Sequence, residues 1–563
     1  MGAFLQENTP IIMMRKMHNR PQPDPLQSVL LYHQRTKHHL QRYAASLGYL
    51  DWDTQPDPFR RYRGSPLIRL EQPAPSSNDI PYDDIFSGLP SPPRPLCKRT
   101  LSQFFYDSLA LSAWKVAGSS RWSLRVNPSS GNLHPTEAYL IAPPIERICD
   151  RPALYHYAAH EHALERRATL DAKQWQRLTR GLPEGAFLIG LSSIYWRESW
   201  KYGERAFRYC MHDAGHAIGA LAVGGAVLGW QAALLETVSD QALARLLGVH
   251  EQRGMEAEHP DALMVFHPGH EQFYPARYRL EVAPDHLEGT PNQLSSDHYP
   301  WLVIDEVSSA TERKTVPDSS FWHTTPGSAA PPPLPAGRRK VAARTIIRQR
   351  RSAVAMDGRT TINADQFYLM LRHTLPAAAI FDPLPWSATV ALALFVHRVE
   401  SLEPGLYLFL RDPEQEGSLR KAITGDFLFQ HPEGCPDDLH LFLLQATDCR
   451  DAAKKVSCHQ DIAADGVFSL GMLAHFEPGL QRTGPWFYKR LFWETGLIGQ
   501  ILYLEAEAAG IRSTGIGCFF DDAMHQILGL KDLTWQSLYH FTVGGPVDDP
   551  RLQTRPAYEH LSG

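Results

Sequence analysis

Cysteine is sparse and unpatterned in this 563-residue chain: Cys97, Cys149, Cys210, Cys435, Cys449, Cys458 and Cys518 include no Cys-X-X-Cys pair. Such an odd, scattered set excludes a disulfide framework and predicts reduced thiols in a cytoplasmic protein. An excess of one charge is lacking as well. With a net charge of −5 and a pI near 6.6, there is no electrostatic basis for binding nucleic acid or an anionic membrane. Histidine is plentiful at 26 residues, yet no His-Glu-X-X-His or comparable ligand spacing occurs, so no metal is expected. Near the start, Arg15, Lys16 and Arg20 are not followed by an apolar run long enough for a signal peptide. The longest apolar run, residues 217–230, is short for a membrane span and follows His212, Asp213 and His216. It reads as a helix buried on all sides, with Gly219, Gly224 and Gly225 allowing another helix to come close.

What is present begins with Asn127-Pro-Ser-Ser-Gly-Asn132, a tight polar turn feeding the apolar Ala138-Tyr-Leu-Ile. Pro128 fixes the entry angle, and Gly131 lets the backbone pass close to a ligand. Ser129, Ser130 and Asn132 offer three small side chains able to hydrogen-bond a planar, polar partner. Alone, the stretch is equally readable as an ordinary turn before a strand. Some 220 residues later stands Arg350-Arg351-Ser352, followed by a helix-like segment from Thr361 to Leu371. Two guanidinium forks and a hydroxyl suit a phosphate, although a solvated basic helix end has the same composition.

Together these two motifs resemble the nitroreductase superfamily of FMN enzymes. That resemblance implies that Arg350, Arg351 and Ser352 bind the flavin phosphate, while Pro128, Ser129, Ser130, Gly131 and Asn132 meet the isoalloxazine ring. It further implies that Gly515, Ile516 and Gly517, in Gly510-Ile-Arg-Ser-Thr-Gly-Ile-Gly517, bring backbone amides to the ring, with Arg551 as a further phosphate ligand. A helix C-cap explains Gly510 equally well. The opening Leu31-Tyr-His-Gln-Arg-Thr-Lys37 reads as a surface helix and a packing turn. It is also similar to the start of the SagB/ThcOx-type branch, whose best-understood members oxidise azolines to azoles.

The chain looks duplicated. Asp213-Ala-Gly215 through Gly229 matches Glu494-Thr-Gly496 through Gly510 with the same glycine-to-glycine spacing. Upstream, residues 187–193 are paired with 439–445, and Ala153-Leu-Tyr-His-Tyr with Gly405-Leu-Tyr-Leu-Phe. Downstream, 242–248 parallels 524–529, and 262–266 parallels 538–543. The division expected is an N-terminal extension with a Pro-rich linker (1–95), a first domain (96–307), a Pro-rich linker (308–344) and a second domain (345–563). The fold implied is α+β: two tandem nitroreductase-like domains, each a mostly antiparallel sheet with flanking helices, forming an intramolecular pseudo-dimer.

Symmetry would give two flavin sites. The first copy, however, has only Lys98-Arg99-Thr100 for the basic clamp, and the second has Leu384-Pro-Trp-Ser387 for the serine turn. The retained halves are complementary, which predicts one intact composite FMN site. Lys201 and Tyr202, matching a Lys-Tyr pair of the azoline-oxidising relatives, are the candidate catalytic residues. The function implied is an FMN-dependent oxidoreductase acting on a small or peptide-derived substrate. Two alternatives stand beside it: an NAD(P)H-dependent nitro or quinone reductase, and a flavin-free scaffold. Cys518 reads as a small packing residue.

Overall fold

The computed structural model describes residues 24–76, 79–86, 92–269, 273–318, 321, 322, 334, 338 and 340–561. Arg15, Lys16 and Arg20, and all of the proline-rich stretch 326–337 except Leu334, lie outside the described residues. Strands of the first half are β1 (Leu67–Arg69), β2 (Thr136–Ala142), β3 (Ala153–Ala158), β4 (Ala163–Thr169), β5 (Phe187–Ser193), β6 (Gln231–Leu234) and β7 (His259–His267). Those of the second are β8 (Val390–Val396), β9 (Gly405–Leu410), β10 (His440–Ala446), β11 (Phe468–His475), β12 (Arg512–Ile516) and β13 (Trp535–Gly544). The first sheet runs β1-β4-β3-β2-β5-β7-β6 and the second β10-β9-β8-β11-β13-β12, antiparallel at every step. Without β1, the two orders superpose strand for strand. Every residue of β2 and of β8 is buried; β8 reads in sequence as an unbroken apolar run, and β2 as one from Ala138 onward, after Thr136 and Glu137.

One expected pairing is corrected by this topology. Strand β5 sits between β2 and β7, as β11 sits between β8 and β13; its counterpart is therefore β11, not residues 439–445. Those belong to β10, the counterpart of β4. The error arose because both β10 and β11 are apolar runs of similar length, and only their neighbours distinguish them.

The helices that matter here are α1 (Pro25–Arg35), α2 (Lys98–Tyr106), α3 (Tyr195–Tyr202), α4 (Ala206–Val227), α5 (Asp240–Leu247), α6 (Ala343–Gln349), α7 (Ala364–Arg372), α8 (Phe487–Ala508) and α9 (Asp521–Leu528). The central pair, α4 and α8, each span 22 residues and are buried almost throughout. They cross where Gly215 meets Gly496: a Cβ on Gly215 would lie 2.4 Å from the Trp493 carbonyl oxygen, and one on Gly496 2.3 Å from that of His212. Both α5 and α9 stop at a left-handed glycine, Gly248 and Gly529, as helix C-caps commonly do. Helix α7 starts at Ala364 rather than Thr361, because Asn363 caps it with Gln366 in a reciprocal capping box.

Each end of the chain reaches across to the opposite half. Gln553–Arg555 pairs with Leu111–Ala117, which also pairs with Ser120–Arg125, and the Tyr558 hydroxyl donates to the Ala159 carbonyl. Reciprocally, α1 docks on the second half. Its His33 contacts the Tyr488 hydroxyl and Gln536, and the following Lys37 pairs with Asp522 at 2.9 Å. The helix is a surface helix with one buried face, Val29, Tyr32 and His33, while Leu31, Gln34 and Arg35 are exposed; Thr36 and Lys37 in the turn that follows are packed and buried. His33 and Lys37 find their polar partners 455 to 503 residues away in sequence, which no local pattern reveals.

Within the first sheet, His156 is fully buried between Glu137 and Glu165, each 2.9 Å from one ring nitrogen. Burial opposes its charge, but the two carboxylates outweigh burial and raise it to about 9. A raised histidine stabilises the fold fully below its unfolded value, and that stabilisation disappears as pH rises through about 9. The wild-type melting temperature is therefore expected to fall between neutral pH and pH 9, and less steeply in His156→Gln. Equal alkaline slopes in thermal melts of the two proteins would disprove this role.

Candidate functional site

Between the halves lies a cavity of about 880 Å³, within the range of small-molecule and cofactor sites. The first half lines it with residues 127–132, His134, Tyr202, Tyr209, Asp213 and His216; the second adds Arg350, Arg351, Ser352, Tyr503, Arg512, residues 514–518 and Tyr539. Pro128, Ser129, Ser130, Gly131, Asn132, Arg350, Arg351, Ser352, Gly515, Ile516 and Gly517 therefore meet in one place.

The turn is held from within. Asn132 and His134 adopt positive φ of 61° and 53°, and Gly131 one of 58°. Such a backbone persists only if its neighbours secure it. The Ser129 hydroxyl accepts from the His134 amide (2.8 Å), and the Asn132 amide donates to the Ser123 carbonyl (2.9 Å). Both the amide and the hydroxyl of Ser130 donate to Asp213 at 3.0 Å. The three polar side chains expected to address a ligand thus spend these bonds on the turn itself, leaving spare acceptor capacity on the two hydroxyls. Burial raises Asp213 to about 7 even though the Ser130 donors favour its charge.

On the opposite wall, Tyr503 of α8 joins two segments: its hydroxyl receives bonds from Ser352 (3.1 Å) and from the Gly515 amide (2.8 Å). A Cβ on Gly515 would lie 1.9 Å from the Tyr539 hydroxyl, and one on Gly517 2.2 Å from the Tyr209 ring. These glycines make room for tyrosines from both halves. Arg350 anchors its guanidinium on the Arg125 and Val126 carbonyls, while Arg351 reaches the Ser112 carbonyl. Burial, together with Arg350 and Arg348, lowers Arg351 to about 10; burial, Arg351 and Arg512 also lower Lys115. Cations crowded this closely favour a bound anion.

Lys201 and Tyr202 close the last turn of α3 against Gly131, where a Cβ would lie 2.5 Å from the tyrosine hydroxyl and 3.2 Å from the lysine Nζ. One turn earlier is Glu198, fully buried, with neither carboxylate oxygen hydrogen-bonded among the described residues. Burial, reinforced by Asp213, holds it well above the usual carboxylate range. Arg551 does not itself line the cavity: its side chain is 85% exposed and pairs with Asp549, which does. Sequence reasoning missed Glu198, Asp213, Tyr503, Arg512 and Tyr539 as site residues. Asp213 had a signal in its alignment with Glu494, and Arg512 in its place within the glycine segment 510–517.

The pseudo-symmetric position is built differently. Glu494, counterpart of Asp213, accepts from the Trp386 indole (3.2 Å) and the Thr389 hydroxyl (2.6 Å), and pairs with Arg411. Trp386 packs with Phe321 and Phe487, ring centroids 5.9 and 5.7 Å away. Lys98, Arg99 and Thr100 open α2, which packs on α4 as α7 packs on α8. They are thus not the positional equivalent of Arg350-Arg351-Ser352, and they do not line the cavity.

The nitroreductase family model matches residues 109–264 and 424–545. No curated protein matches the chain. Among solved structures, a candidate nitroreductase from Anabaena variabilis is 20% identical, with a TM-score of 0.66, covering 92% of this chain and 99% of its own. A candidate nitroreductase from Ralstonia eutropha (15% identical, 40% of this chain and 98% of its own) has a TM-score of 0.28. The E. coli microcin synthetase McbBCD complex with truncated pro-MccB17 bound (18%, 46% and 98%) has one of 0.27. Among the described residues, no helix is long and apolar enough to cross a membrane. In fold, the chain is a pair of tandem nitroreductase-like domains closed on each other as an intramolecular pseudo-dimer.

Proposed function

We propose that this chain is an FMN-dependent oxidoreductase with one composite flavin site, acting on a small or peptide-derived substrate. The observation that carries the reading is the shared cavity, to which each half contributes the motif the other lacks. Its residues fit the group: a cationic end at Lys115, Arg351 and Arg512 suits a phosphate, and the wall of Tyr202, Tyr209 and Tyr539 beside the Ser130 turn suits a flat heterocycle. When bound, FMN supplies the two-electron hydride chemistry.

The protein's own contribution is placement and proton handling. The Ser129–Ser130 hydroxyls orient the ring edge, while Arg351 and Arg512 hold the phosphate. The rigid contacts of Asp213 and Tyr503 keep both walls in position. Lys201 and Tyr202, against the turn, move the substrate proton. Glu198, on the same face of α3 as Lys201 and with its pKa raised by burial, is the proton store behind them. At the second position Trp386 and its aromatic neighbours exclude a ring.

Counting FMN released from protein purified from a flavin-replete host tests this reading. One FMN per chain is expected. Two would mean that the Trp386 position also binds; none, even after reconstitution, would leave the flavin-free scaffold.

A further inference from the structure

A pair of thiols stands at the cavity wall, one of them, Cys518, lining it. Cys518, next to Gly517 on the wall, has its sulfur 2.7 Å from that of Cys458. Both are free cysteines, and both are partly exposed. Among the described residues, no other two cysteines are in sulfur–sulfur contact. Cys458 and His459 in succession adopt left-handed φ of 54° and 61°, a region that non-glycine residues occupy only when their neighbours hold them there. Gln460, also on the wall, fixes the facing segment by donating to the Cys518 carbonyl at 3.0 Å. Two thiols in contact and accessible are what a reversible redox couple requires.

We propose that Cys458 and Cys518 form a reversible disulfide site whose oxidant is a small-molecule disulfide. The Cys518 thiolate attacks one sulfur of the disulfide RSSR, whose S–S bond breaks and releases RS⁻, which takes up a proton. The Cys458 thiolate then attacks the mixed disulfide at the Cys518 sulfur, forming the internal bond and expelling the second RS⁻. In sum, two cysteine thiols lose two electrons and two protons, and RSSR becomes two RSH. Contact with Cys458 lowers Cys518 despite its burial, and nearby Arg205 acts in the same direction, which suits it as the attacking thiol. The bond would tie the loop carrying Gln460 to the segment after β12, two parts of one wall. This site does not depend on the flavin reading.

The test uses the full chain, reduced, desalted and exposed to glutathione disulfide. Expected are the loss of two of the seven titratable thiols, a peptide pair linked through Cys458 and Cys518, and full reversal by a thiol reductant. In Cys458→Ser, Cys518 should instead retain one glutathione. Intact thiols in the folded wild type would overturn the proposal, as would glutathione persisting on either cysteine without the internal link.

Discussion

Replacing Gly496 with alanine is expected to destabilise the chain by about 4 kcal/mol or more, the range reserved for gross packing faults. The added carbon would fall 2.3 Å from the His212 carbonyl oxygen and 2.8 Å from the Gly215 Cα, both backbone atoms of the facing helix. No side chain can rotate away, so α4 and α8 must separate, and with them the two halves. Gly215→Ala meets the Trp493 carbonyl and should behave alike. Gly224→Ala is the control: its Cβ would make ordinary contacts at 3.4 Å, and alanine gains about 1 kcal/mol of helix propensity over glycine. Thermal melts should show a large loss for the first two and no loss for the third. A Gly496→Ala protein melting with the wild type would refute backbone contact at this crossing.

Arg351→Glu is the second large effect. It removes one cation from the group formed with Lys115 and Arg512 and puts a carboxylate on the cavity wall. Charge-assisted hydrogen bonds contribute about 1.5–3 kcal/mol each, so losing one and adding repulsion should weaken FMN on the order of 100-fold. Riboflavin, which has no phosphate, should be affected far less. Equal losses for both ligands would remove Arg351 from phosphate recognition; comparative fluorescence titrations distinguish the outcomes.

Much of the architecture was legible because fully buried strands announce themselves as apolar runs, and because Asp213-Ala-Gly215 and Glu494-Thr-Gly496 mark one helix crossing twice. Ser129–Ser130 and Arg350–Arg351, which line one cavity, stood out in the sequence by their unusual local composition. Residues whose role comes from position alone were not. Tyr503 and Tyr539 look like any buried tyrosines until the helix face and the sheet neighbour are known. Glu198 gives no sign in sequence that its carboxyl is dry. Lys37 and Asp522 lie 485 residues apart, so the partner of this buried charge could not be read from the sequence. Cys458 and Cys518, separated by 60 residues, share no motif.

The unequal carboxylates on the central helices have a consequence for how such a protein changes over time. In a homodimer, every substitution is written into both sites at once, so a tryptophan that closes one cavity closes the other. Here Asp213 and Glu494 are separate codons. Trp386 and Arg411 can therefore stand beside one carboxylate while Ser130 stands beside the other, an asymmetry that two identical chains could not hold.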